Sequence, residues 1–174
     1  LLMFVMQFGL IFVQYPLGTL SDRIDRRVVL IFTCLLITGA AVAALFVSFS
    51  AFVLLMVVFA LWAGAVESVY SIANAHANDR TDPEDFVPLA STLLVAWSTS
   101  ATIVPLGVTA LTPVFGPQTF IYAVIGVAML YAAFVAGRLR RRETVPPEAR
   151  ENFEIRSAQV PNAGALVEGQ KAPE

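Results

Sequence analysis

Three stretches of this chain, 1–21, 28–66 and 86–137, contain no charged residue at all. No water-soluble fold of this size covers that much apolar length with so few charges. Soluble domains carry about 25% charged residues, whereas here the figure is 14%, against 57% hydrophobic. The surrounding solvent is therefore lipid. A hydrocarbon core takes about 20 apolar residues to cross at a rise of ~1.5 Å each. Turn and charge signals divide the chain into five such spans, at 1–20, 28–47, 52–77, 88–112 and 118–137. Within lipid each span must satisfy its own backbone hydrogen bonds, which favours helices. The alternation at intervals of about 10 residues that marks a membrane β-barrel is absent. The expected fold class is all-α and transmembrane, with five membrane-spanning helices.

The first span lacks the basic start and small-residue cleavage pattern of a signal peptide. It opens inside an apolar run without an initiator Met, so it reads as a helix interior and the chain as a fragment. The basic residues are Arg23, Arg26, Arg27, Arg80, Arg138, Arg140, Arg141, Arg142, Arg150, Arg156 and Lys171. Five crossings put all of them on one side, while the opposite turns, 48–51 and 113–117, are uncharged. Lys and Arg collect on the cytoplasmic face, so loops 21–27 and 78–85 and the C-terminal end are expected there. From residue 143 the sequence is polar, aperiodic and interrupted by Pro146, Pro147, Pro161 and Pro173, which predicts a flexible cytoplasmic tail over 143–174. The lone cysteine, Cys34, reads as a small packed hydrophobe.

The most specific feature is the run Gly18, Thr19, Leu20, Ser21, Asp22, Arg23, Ile24, Asp25, Arg26, Arg27. Gly18 permits close approach of a neighbouring helix. Asp22, at the membrane edge, is costly unless it meets a cation or a helix N-terminus. Arg23, Arg26 and Arg27 are expected to hold the loop at phosphate level and to offer bidentate partners to carboxylates. Asp79 and Arg80 close the third span on the same face. The sequence therefore predicts an ion-pair cluster of Asp22, Arg26 and Asp79 that holds a cytoplasmic gate shut, with plain membrane anchoring as the alternative.

This run resembles the loop signature of the major facilitator superfamily, G-x-L-[SA]-D-R-x-[GD]-R-[RK], and lies between two spans as it does in that family. The resemblance implies a twelve-helix fold and alternating access. In that family the signature follows helix 2 and often recurs after helix 8. Four further spans and a terminal tail suit helices 8–12. The third span also lacks the embedded Arg usual in helix 4. Residues 14–18 and 75–80 are similar to the second half of the YcaD-like bacterial branch.

Glu67 is the one charged residue near the middle of a span. A charge there costs at least ~2.5 kcal/mol and usually has a partner or a task. Helical spacing puts Glu67, Ser71, Asn74 and Asn78 on one face with Tyr70 at its edge, and that face is expected to look into protein or a water-filled cavity. Together with Gln14 these residues form a candidate substrate or proton path, the alternative for Glu67 being a structural carboxyl bonded to a neighbouring helix. His76 reads as an interfacial hydrogen-bonder. Gln7 and Gln14 are expected to share one face of the first span. Ser98, Thr102 and Thr109, with Trp97 beside them, share one on the fourth; both sets read chiefly as ties between helices, with the lining of a substrate path as the alternative. Pro16 and Pro105 predict kinks, with Thr102 or Ser98 serving the carbonyl that Pro105 frees. Ala128, Ala132 and Ala136 are spaced for close helix contact.

No nucleotide loop, zinc spacing or catalytic Ser/His/Asp set occurs, and the single His excludes most His-based metal sites. A sequence pI of about 5.4 gives no footprint for nucleic acid. No enzyme activity, cofactor or metal is expected. The leading function is secondary active transport of a small solute, with a proton gradient as its drive, in the bacterial inner membrane. The partners implied are substrate, protons, the lipid bilayer and the missing N-terminal half. The alternative is a non-transporting membrane scaffold or truncated gene product.

Overall fold

The structure is a computed structural model that describes residues 2–48 and 50–141. The expected tail lies outside the described residues. Among those described, the elements are α1 (Leu2–Gly9), a π-helical turn (Leu10–Gln14), α2 (Tyr15–Arg23), α3 (Arg26–Phe46), α4 (Phe52–Asn78), a 3₁₀ turn (Pro83–Asp85), α5 (Phe86–Phe115) and α6 (Thr119–Leu139). The described residues are all-helical outside the turns, and among them four unbroken helices, α3 to α6, are long and apolar enough to cross a membrane.

The fifth expected span, 1–20, is helical over its described residues, from residue 2, but is not one α-helix. Pro16 explains the break. A proline inside a helix removes one hydrogen bond and drives its ring toward the carbonyl four residues back. Here the preceding turn widens into the π form, and Pro16 falls in the first turn of α2, where its missing N–H costs nothing. The wider turn changes the helical phase. Gln14 is buried whereas Gln7 is exposed, so the expected shared face does not exist.

Pro105 behaves differently, since α5 runs through it without a break. The Thr102 hydroxyl donates to the Ser98 carbonyl at 3.1 Å, not to the Ala101 carbonyl that Pro105 leaves without its usual donor. Helix α5 ends at Gly116, whose φ of 79° places it in the region that glycine enters without strain.

Packing is concentrated in α1 to α4 and α6. The core joins Val13 and Leu17 with Val29, Leu30, Cys34 and Ile37 of α3, Ala65 and Ile72 of α4, and Ala128, Ala132 and Val135 of α6. Cys34 is buried and free. Ala128 and Ala132 are buried as their spacing predicts, while Ala136 is half-exposed. Helices α1 and α4 approach each other closely. A Cβ on Gly9 would collide with the Ala60 carbonyl, and one on Gly64 would meet the Gly9 carbonyl and, at 2.7 Å, Val13 Cβ. Two backbones therefore touch where neither residue has a side chain, the geometry that small residues permit in membranes. Helix α5 stands apart, with no buried residue. Trp97, Ser98, Thr102 and Thr109 are exposed on it and tie no helices together among the described residues.

Candidate functional site

The signature run folds into the junction of α2 and α3. Helix α2 extends through Arg23, so only Ile24 and Asp25 lie between the two helices. Within α2 the Ser21 hydroxyl donates to the Gly18 carbonyl at 2.7 Å, and both residues are buried. Asp25 is the N-cap of α3. Its Oδ1 accepts from the Arg27 backbone N–H at 2.9 Å, which satisfies one of the unpaired donors at the helix start.

Arg26 and Arg27 follow this cap, at the end of the helix where the macrodipole opposes a cation. Carboxylates offset that cost. Arg26 Nε donates to Asp79 Oδ2 at 2.8 Å and Nη2 to Asp79 Oδ1 at 3.4 Å. Their side chains are 1% and 2% exposed. Arg26 Nη1 also lies 3.6 Å from Asp22 Oδ1, the Asp22 side chain being 30% exposed. The three groups named from sequence thus meet, with Asp79 the close partner and Asp22 the looser one. Arg27 Nη2 pairs with Asp25 Oδ2 at 2.7 Å, and its Nη1 donates to the Arg138 carbonyl at 3.4 Å.

Side chains at one end of the bundle therefore tie α2, α3, α4 and α6 together. Arg26 and Arg27 are buried in this knot and do not reach for phosphates, a correction to the expected anchoring role. Of the three loop arginines only Arg23 is exposed. Arg80 and Leu20 are exposed as well. His76 is half-buried, within the electrostatic reach of Arg80, Arg27, Asp79 and Asp25.

Further along α4, Ser71, Asn74 and Asn78 are buried. Gln14 Nε2 donates to Ser71 Oγ at 2.7 Å, and both are buried. The π turn makes this contact possible by rotating Gln14 toward α4. Glu67 and Tyr70 are half-buried at the rim of this face. Twelve residues separate Glu67 from Asp79, about 18 Å along the helix axis at ~1.5 Å each. One face of α4 therefore carries a mid-helix carboxyl, a hydrogen-bonded polar strip and, at its end, the ion-pair knot.

The sequence reading did not single out the Gly9–Gly64 crossing, the Arg27–Arg138 link or the Asp25 cap. A signal for the crossing exists in Ala60, Gly64 and Ser68, small residues at successive fourth positions of α4.

A family model described as Major Facilitator Superfamily matches residues 1–169. Neither a curated protein nor a solved structure matches the chain.

Proposed function

The chain belongs to the major facilitator superfamily of membrane transporters, and from that premise we propose that it supplies helices 8–12 of a twelve-helix secondary transporter that moves a small solute by alternating access. Supporting this placement are the helices that follow the signature run and the lack of a mid-span arginine in α4. The similarity at 14–18 and 75–80 favours the YcaD-like branch. The end that gathers Arg23, Arg26, Arg27, Arg80 and Arg138 faces the cytoplasm, by the bias of basic residues toward that side, and the bilayer is the bacterial inner membrane.

The buried Arg26–Asp79 pair carries the mechanistic reading. It joins the start of α3 to the end of α4, with Asp22 of α2 alongside, and serves as a latch on the cytoplasmic side. The latch must open when the path opens inward, and water then solvates the separated charges. Glu67, at the rim of the polar face of α4, carries the proton that couples transport to the gradient, and Gln14, Ser71, Asn74 and Tyr70 flank the path. Substrate sits between the two halves of the assembled transporter, near mid-membrane.

The test uses the whole transporter in proteoliposomes with an imposed pH gradient, screened against small solutes. Glu67→Gln is expected to keep its elution profile, to lose gradient-driven uptake and to retain solute exchange. Gradient-driven uptake in Glu67→Gln equal to wild type would remove Glu67 from the coupling role. Transport of no solute by the wild type would favour a scaffold.

A further inference from the structure

On the face of α4 turned away from Glu67 and Ser71 lies a cavity of about 510 Å³. Its walls come from α3 (Cys34, Ile37), α4 (Trp62, Val66, Val69), α5 (Val104, Val108) and α6, including Ala123 and Tyr131. A second cavity of about 240 Å³ continues it toward the α3–α4 and α5–α6 turns, and the two share Trp62, Phe120 and Val124. Trp62 and Phe120, which line both, meet edge to face at 6.0 Å. Along α6 the lining extends from Pro117 just before the helix to Tyr131, about 21 Å at ~1.5 Å per residue.

We propose that this slot holds a phospholipid acyl chain inserted from the surrounding bilayer. Three observations select the occupant. First, the walls are apolar but for the Cys34 thiol, the Trp62 indole N–H and the Tyr131 hydroxyl, whereas a buried water needs 2–4 polar partners. Apolar cavities of roughly 150 Å³ already stay dry and take up benzene, and this one is larger. Left empty, its lining would forfeit dispersion contacts. Second, the slot opens along the flank of α5, none of whose residues is buried, so lipid reaches it directly. Third, the polar strip that suits a transported solute is on the opposite side of α4, which leaves hydrocarbon as the matching chemistry. The open side is the cleft beside α5, which packs only lightly on its neighbours and buries none of its own residues.

Trp62 lines both cavities and supplies the probe. The chain has two tryptophans, so Trp97→Phe leaves Trp62 as sole reporter and Trp62→Phe leaves Trp97, on the exposed surface of α5, as the lipid-contact reference. Both are placed in vesicles of phosphatidylcholine brominated at mid-chain. Trp62 is expected to be quenched as strongly as Trp97 by the brominated lipid and to be spared by aqueous acrylamide. Narrowing the slot by Ala123→Phe or, from the other wall, Val104→Phe is expected to remove most of the Trp62 quenching while circular dichroism remains unchanged. Either substitution is informative if the other fails to fold, and the reference comparison needs neither. Trp62 shielded from bromine, quenched by acrylamide instead, or quenched equally with the slot filled would overturn the proposal. The result is independent of whether the assembled protein transports, because the assay reads only this chain in lipid.

Discussion

Removing one partner from the Arg26–Asp79 pair tests the latch most directly. In the latched state both side chains are almost wholly out of solvent. Asp79→Ala would leave the Arg26 guanidinium buried without its bidentate acceptor. Truncating one member of a buried pair costs about 3–5 kcal/mol, mainly from the uncompensated charge. In the open state Arg26 is hydrated and this cost disappears. The substitution therefore shifts the balance toward the open state by roughly two to three and a half orders of magnitude, at about 1.4 kcal/mol per tenfold. Asp22→Ala acts through a longer contact on a partly exposed group, and its effect is expected to be at most about 1 kcal/mol. The assay is alkylation of single cysteines on the cytoplasmic half of the path, in a background with Cys34 replaced by Ala. Asp79→Ala should label much faster than wild type, Asp22→Ala only slightly faster, and the exchanged pair Arg26→Asp with Asp79→Arg should recover part of the protection. Equal labelling in Asp79→Ala and Asp22→Ala, at matched membrane insertion, would refute the reasoning, because the pair would then bear no more on closure than a surface contact.

Two further outcomes follow from packing. Gly64→Ala should destabilise the chain by about 1–3 kcal/mol or more, the cost of overpacking, because its Cβ would strike the Gly9 backbone rather than a movable side chain. Gly39→Ala, with nothing within 4 Å, should change stability by under about 0.5 kcal/mol, both read by reversible unfolding in mixed micelles. A double-mutant cycle on Gln14→Ala and Ser71→Ala should give a coupling near 0.6 kcal/mol, the mean for hydrogen bonds between membrane helices. Absence of coupling would mean that the two side chains do not meet.

The parts legible in the sequence were those written in charge and hydropathy. Uncharged runs match the bounds of α3 to α6 to within a few residues, because lipid excludes charge with little regard to tertiary context. The signature run and the charged end of α4 likewise pointed to Asp22, Arg26 and Asp79 as neighbours, since few partners are available to carboxylates and guanidinium groups at a membrane edge. Burial was less legible. Phe32 and Leu35 point outward while Leu30 and Cys34 point inward, and apolar residues that meet lipid are the same types that meet protein. Arg26 and Arg27 were expected at the headgroups for a related reason, as residue type does not reveal that Asp79 and the Arg138 carbonyl lie within reach. The pairing of Gln7 with Gln14 failed because it assumed constant helical pitch, which Pro16 disturbs. The isolation of α5 leaves no mark, since its composition is that of a well-packed membrane helix.

The π turn at Leu10–Gln14 means that the first helical stretch stores one more residue than regular winding over the same height would accommodate. That surplus sets the angular offset between the contact of Gly9 with α4 below it and the contact of Gln14 with Ser71 above it. Deleting a single residue here would restore even pitch and turn α2, with Asp22 near its end, out of alignment with Arg26 and Asp79. The spelling of the helix upstream of Pro16 is thus coupled to an ion pair formed several turns away, without any direct contact between them.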